Sequence, residues 1–354
     1  MTLAQSGPDP APPPEARVTV VLTTSPTPSA PSTELICDVL DSFRQHCAEL
    51  ARCRIIVVMD TYEQVVDKPR LKKGRVTENQ ASFYGTYKDR VKRLMLGMHG
   101  FGEAFDDFHL STDEVKYGNP LIPSNNVKYT ITRTKNGRVS FIEPNERLGF
   151  GLAVHAALKL VETEYVWVQQ HDWVLRNELP LQSLLEIMLA SECDSEVPIK
   201  YICLSAPRMQ SYAVSDHVIK HPELLALTKT LKRDFVPSSQ PERPVSLTPM
   251  FFWHDKPHLA STRHYLERIF PTRLAIPRGA FIEDTIGHRA RSQMKQGSWH
   301  RWATWLYYPD NGKILGLRHL NGRSYRGKEN EAEKKRLWME RNSQKASKTA
   351  PNPQ

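Results

Sequence analysis

The run Glu146-Arg-Leu-Gly-Phe-Gly-Leu-Ala-Val-His-Ala-Ala-Leu-Lys-Leu-Val-Glu-Thr-Glu-Tyr-Val-Trp-Val-Gln-Gln-His-Asp172 decides the fold. Gly149 and Gly151 open a helix that the pattern carries to Val161. Tyr165 to Gln169 follows as an apolar, β-rich strand, and Asp172 stands just beyond its end. A helix that leads directly into a buried strand is half of a parallel α/β unit.

The same order repeats on the N-terminal side. Val18 to Thr23 reads as a buried strand. Ser32 can cap a helix in which Leu35, Ile36, Val39, Leu40 and Phe43 share one face. Arg54 to Met59 is a second strand and ends at Asp60. A helix is expected from about Asn79 to Met98, then strands Val127 to Arg133 and Val139 to Ile142 around an Asn136-Gly137 turn. On the other side come a helix, Leu179 to Ala190, and a strand, Tyr201 to Ser205. The expectation is an α/β, Rossmann-like fold with a mainly parallel sheet flanked by helices. Ligands of such sheets bind beyond the carboxyl ends of the strands, where Asp60 and Asp172 stand. After Val245 the pattern becomes a strand over Ser246 to Trp253, an amphipathic helix over Leu259 to Phe270, and a helix from Phe281-Ile-Glu-Asp284 to about Gln296. Two more strands, Thr304 to Tyr308 and Lys313 to His319, flank the turn Pro309-Asp-Asn-Gly312.

Composition supplies the limits. The chain has 354 residues, 40% hydrophobic and 25% charged, enough for a substantial core. No apolar run approaches the ~20 residues of a membrane-spanning helix. No secretory signal is seen, so a cytoplasmic location is expected, with peripheral membrane contact left open. Five cysteines, never spaced as CxxC, argue against a disulfide framework or a structural zinc site. The net charge of +9 is local: residues 67–93 carry +6, residues 326–354 carry +4, and the remainder sums to −1. A nearly neutral body does not require a nucleic-acid partner. The division expected is a disordered Pro-rich arm over 1–16, an α/β domain over 17–210, a smaller lobe continuing the same fold over 211–326, and a charged helix and tail over 327–354, frayed from Ser343.

Several residues could carry chemistry. Asp172 and its neighbour His171 suit a hard divalent cation that shares its ligands with phosphate, or Asp172 merely caps a turn. Glu283 and Asp284 open a helix, as a cap or as a general base. Arg147, before the Gly-x-Gly, and the late group His319, Arg323 and Arg326 could meet phosphate or solvent. His217 and His221 lack the Glu of HExxH and precede Pro222, so zinc is not expected there. Trp299, Trp302 and Trp305 read as core.

Together these positions resemble a GT-A glycosyltransferase of the family-2-like type. The resemblance rests on the opening strand Val18 to Ser25, on Ile55-Ile-Val-Val-Met-Asp60, on the run to Asp172, and on Phe281-Ile-Glu-Asp284 with Arg289 and Arg291 downstream. It spans roughly Arg17 to Arg326. It implies a nucleotide-sugar-binding domain over 17–210 and an acceptor lobe over 211–326. Thr23, Thr24, Asp60, Arg147 and Gln170 would contact the nucleotide, His319 and Arg323 the phosphates. Asp172, with His171, would bind Mn²⁺ or Mg²⁺, and Asp284, beside Glu283, would act as acceptor base. The sequence departs from the family at Gln170-His171-Asp172, where DxD is the rule, so one acidic ligand is replaced by a neutral amide. The activity implied is inverting transfer of a sugar from a UDP- or GDP-linked donor to a hydroxyl of a glycan, protein or lipid. Two other readings stand beside it: a nucleotidyltransferase, and a non-catalytic module that binds nucleotide sugars. A neutral Thr23-Thr-Ser-Pro-Thr-Pro28 loop speaks against the first, whereas Gln170 favours the second.

Overall fold

A computed structural model describes residues 12–101 and 108–349. Among them, eleven strands form one sheet. In chain order these are β1 (Val18–Thr24), β2 (Arg54–Met59), β3 (Phe108–Lys116), β4 (Asn126–Thr134), β5 (Val139–Pro144), β6 (Tyr165–Gln170), β7 (Tyr201–Leu204), β8 (Arg233–Phe235), β9 (Val245–Pro249), β10 (His258–Ser261) and β11 (Thr304–Tyr307). Their spatial order is β8-β9-β11-β7-β10-β6-β1-β2-β5-β4-β3. The centre, β6-β1-β2-β5, is wholly parallel. Only β4, β9 and β10 run against the other strands. The protein is therefore an α/β fold on a mostly parallel sheet.

The central strands are buried because their side chains are apolar on both faces, as a strand covered by helices on either side requires. Helix Glu34–His46 buries Leu35, Ile36, Val39, Leu40 and Phe43, the stripe expected from its spacing. Phe43 meets Trp167 of β6 edge to face at 6.5 Å. Helix Glu78–Met98 starts with a full capping box between Thr77 and Gln80. Helix Phe150–Leu158 is buried all round and packs on β1 and β2.

Some expectations are corrected. Residues 259–261 were read into a helix but belong to β10, which inserts between β6 and β7; the helical turns begin at Thr262. Strand β3 was not foreseen, because Phe108–Lys116 is polar and mostly exposed, as suits an edge strand that must not pair with another chain. Of Lys313 to His319 only Leu317–His319 is strand; it pairs antiparallel with Trp173–Leu175 and carries a late segment of the chain to the end of β6. The arm expected over 1–16 lies largely outside the described residues. Its last part instead joins a short helix, Pro14–Arg17, with Glu15 bonded to Arg52. The helix Lys328–Thr349 runs on past Ser343, where fraying was expected. Among the described residues no helix is long and apolar enough to cross a membrane. Trp299, Trp302 and Trp305 are buried, as read.

Candidate active site

Three neighbouring parallel strands deliver their carboxyl ends to one place. Thr23 lies opposite Gln170, and Thr24 opposite Met59. The ladder continues past the strands: Asp60 N–H donates to Thr24 O (2.8 Å) and His171 N–H to Thr23 O (3.1 Å). The cleft beyond these ends opens to solvent, and its empty space, open mouth included, comes to about 800 Å³. Its lining includes Thr23, Thr24, Asp60, Arg147, Gln170, His171, Asp172 and Arg323, all singled out from sequence. Glu283, Asp284 and His319 are not part of that lining, although Phe281 is.

Asp60 is a clamp. Its Oδ1 accepts from the Leu148 and Thr61 amides at 2.7 and 3.0 Å, and its Oδ2 from Gly149 N–H at 2.9 Å. Burial pushes its carboxyl up to about 6, against the pull of these amides and of the Arg147 charge. The loop it holds opens the glycine-started helix. Gly149 has φ +78°, and a Cβ there would stand 2.4 Å from Gly279 Cα. A Cβ on Gly151 would meet Ile276 at 2.7 Å. Gly151 N–H donates to Ala280 O at 3.0 Å. The two glycines thus admit the 276–281 segment rather than a ligand, and so bring Phe281 to the cleft. Gly149→Ala is expected to cost at least about 2 kcal/mol, from the positive φ and a backbone clash that cannot relax, read as a lower denaturation midpoint.

The hydroxyls and the guanidinium expected on the nucleotide are already engaged. Thr24 Oγ1 meets Tyr87 OH at 2.6 Å, and Thr23 Oγ1 donates to Gln169 O at 3.4 Å. Arg147 donates to Lys72 O (3.1 Å) and Gly279 O (3.4 Å), tying two loops together.

Asp172 is 8% exposed. Its Oδ2 accepts from Gly322 N–H at 3.0 Å and lies 3.1 Å from His319 Nε2. Leu320 N–H closes on Asp172 O at 2.8 Å, and the His319 ring stacks on Trp173 at 4.4 Å. Burial alone would raise the Asp172 carboxyl. The His319 hydrogen bond and the charges of His171 and His319 outweigh it and hold the group below the usual carboxylate range. Gly322 must be glycine, since a Cβ there would stand 2.8–3.0 Å from His171 and Asp172.

Asp172 and His319 are placed as two adjacent ligands of one cation would be. His171 does not complete a third corner: among the described residues no group of three or more His, Cys, Asp or Glu could hold a metal ion. His171 is buried with Nδ1 unpartnered, and burial lowers its pKa. The donor pair fits a cation whose remaining ligands are phosphate oxygens and water, the usual manner of Mg²⁺ and Mn²⁺.

A second acidic centre lies behind Gln170. Gln170 Nε2 donates to Asp255 O at 2.7 Å. The Asp255 carboxylate accepts Glu283 N–H (3.3 Å), and Glu283 Oε2 lies 3.4 Å from Asp255 N and 3.5 Å from His254 Nδ1. Burial, then the Glu283 charge, raises the Asp255 carboxyl well above its usual range. Burial would raise Glu283 also, but His254 and Lys256 bring it low. Asp284, one residue on in a π-helical turn, Glu283–Gly287, is exposed. Sequence reading missed Asp255, His254 and Lys72. Only the charge of 67–93 pointed towards the last. His217 stacks on Tyr212 and stands apart from the cleft lining.

No family model matches the chain, and no curated protein does. Among solved structures, the chain is similar to mannosyltransferase PcManGT from Pyrobaculum calidifontis in complex with GDP-Man and Mn²⁺, at 14% identity over 75% of this chain, with a TM-score of 0.31. It is also similar to TarS of S. aureus, at 12% identity over 53% of this chain, with a TM-score of 0.24. The matched part covers 50% of the first of those chains and 21% of the second.

Proposed function

We propose that the chain is a GT-A-type glycosyltransferase, which moves a sugar from a UDP- or GDP-linked donor to a hydroxyl acceptor with inversion. The observation that supports this best is the convergence of Thr23, Thr24, Asp60, Gln170, His171 and Asp172 on one cleft at the ends of three parallel strands, with Arg323 on its wall. The nucleoside would lie along the β1 and β2 ends, shaped by Asp60 and Arg147, with Gln170 on the wall of the same cleft. Arg323, on the cleft wall, would face the diphosphate, and His319 stands beside Asp172 next to that wall. Asp172 and His319 would hold Mn²⁺ or Mg²⁺, which when bound neutralises charge on the leaving diphosphate.

Asp284 takes the proton of the acceptor hydroxyl. The acceptor oxygen bonds to the anomeric carbon from the face opposite the leaving group, the bond to the β-phosphate oxygen breaks, and the diphosphate departs. Glu283 is a positioning residue: its carboxylate is engaged by His254 and the Asp255 amide, and its lowered pKa makes it a weak base. The test is release of UDP or GDP from a panel of nucleotide sugars, with and without acceptor. Asp284→Asn should lower transfer about 10²-fold, while Glu283→Gln lowers it less. Unchanged transfer in Asp284→Asn removes the base assignment. Inert nucleotide sugars across the panel remove the activity.

A further inference from the structure

The loop between β2 and the helix Glu78–Met98 is tied down on several sides. Glu63 N–H donates to Gly74 O at 2.7 Å, Arg278 bonds Glu63 at 2.8 Å, and Arg147 holds Lys72 O. Gly74, at φ +69°, lets the Arg147 side chain pass where a Cβ would stand 2.3 Å from its Cδ. This framework brings Thr61, Leu71, Lys72 and Val76 to the cleft lining, and of these Lys72 carries the charge; it lines the cleft together with Arg323 and Phe281. Lys72 Nζ lies 5.9 Å from the Phe281 ring centroid and Arg323 Cζ 5.2 Å from it. Two cations from distant parts of the chain therefore meet at one aromatic ring on the cleft wall. Among the described residues neither is paired with a carboxylate, whereas the neighbouring Arg278 pairs with Glu63 and Glu146.

Resting on the donor reading above, we propose that Lys72 and Arg323 form a clamp for the diphosphate of the bound nucleotide, with Lys72 its decisive member. Each cation is held at the cleft wall by its contact with the Phe281 ring, and Lys72 also by its braced loop. A polyanion bound in the cleft finds both partners already ordered, so little is lost in arranging them. Arg supplies a planar fork to phosphate oxygens and Lys a compact point charge. Arg147 acts here as the residue that positions the Lys72 loop.

The experiment is calorimetry of UDP, GDP, UMP and GMP with the full chain, its Lys72→Ala and Lys72→Arg variants, and Lys73→Ala as a neighbouring exposed lysine outside the cleft lining, all at one ionic strength. Lys72→Ala should weaken UDP or GDP about tenfold more than the matching monophosphate, the scale of one charged hydrogen bond. Lys72→Arg should keep most of the affinity, and Lys73→Ala all of it. If the original protein binds UDP or GDP and Lys72→Ala binds them equally well, the clamp is wrong and the donor reading stands. Equal weakening by Lys72→Ala and Lys73→Ala overturns it too, in favour of a diffuse surface field. Failure of the unaltered chain to bind either diphosphate takes down the donor reading, and the clamp with it.

Discussion

Asp172→Asn is expected to lower sugar transfer about a thousandfold and to leave the protein folded. The substitution removes one negative charge and keeps an oxygen for Gly322 N–H, so the segment from Leu317 to Arg323 stays against Trp173–Leu175. What is lost is the anionic partner of His319 and a carboxylate of the cleft lining. Charge groups aimed at a developing anion, or holding the group that meets it, are worth about 10²–10³ in turnover when removed. The loss should appear mainly in kcat, because such stabilisation counts in the transition state more than in binding. His319→Ala should cost less alone. Combined with Asp172→Asn it should cost little further, since the two act as one unit. A pair of variants whose effects simply multiply, or an Asp172→Asn protein with near-normal kcat, rules out the role given to this pair.

Much of the frame was legible because the chemistry of burial is local. A strand with helices on both sides is apolar on both faces through its middle, as Val20 to Leu22, Ile55 to Met59 and Tyr165 to Val168 are. Their carboxyl ends then have to lie together, which puts Asp60 and Asp172 at one end of the sheet. The exceptions have physical reasons. Strand β3 carries charge on an exposed edge and shows no apolar alternation. Strand β10 is only four residues long, and its Leu259-Ala260 matched the spacing of the helix after it. The roles were harder to read than the positions. Asp60 ends where a ligand-binding acid should, yet its oxygens receive backbone amides; Arg147 stands beside the glycines, yet it braces a loop. Which partner a polar group takes depends on segments distant in the chain, 148–149 at Asp60 and Lys72 and Gly279 at Arg147, and no window of sequence around either residue contains its partners. The Asp255–Glu283 pairing is of the same kind. Residues 28 apart meet only because a loop folds back to the helix that starts at Glu283.

Acidification from pH 7 to 4.5 is expected to cost the fold about 3 kcal/mol or more, enough to lower the melting temperature by several degrees. The region after β9 holds three imidazoles that stay neutral through that range. Burial lowers His254 and His264 to about 4 and His258 to about 3. Nearby cations reinforce it, Lys256 at His254 and Arg268 at His264. In the unfolded chain each takes its proton near pH 6.5. Between 6.5 and 4 the unfolded state therefore binds more protons than the folded state, so stability rises with pH and falls as acid is added. His155, stacked on Phe270, and His99 are lowered to about 4 and act in the same direction. Two carboxyls oppose them. Asp60, near 6, and Asp255, raised by burial and then by the Glu283 charge, take protons in the folded state before the unfolded chain does. Five imidazoles against two carboxyls leave a net loss. His258 decides the matter most directly. It is fully buried, its Nδ1 lies 2.7 Å from Lys256 O, and its Nε2 has no partner to share a proton. His258→Phe keeps a ring among Tyr201, Trp253 and Tyr265 and removes the titration. Its stability should fall less steeply with acid than that of the original chain, whatever its value at pH 7. Calorimetric melting from pH 7.5 to 4.5 measures both slopes. A flat profile in the unaltered protein, or the same slope in His258→Phe, would mean that water reaches these imidazoles and that the core after β9 is not closed.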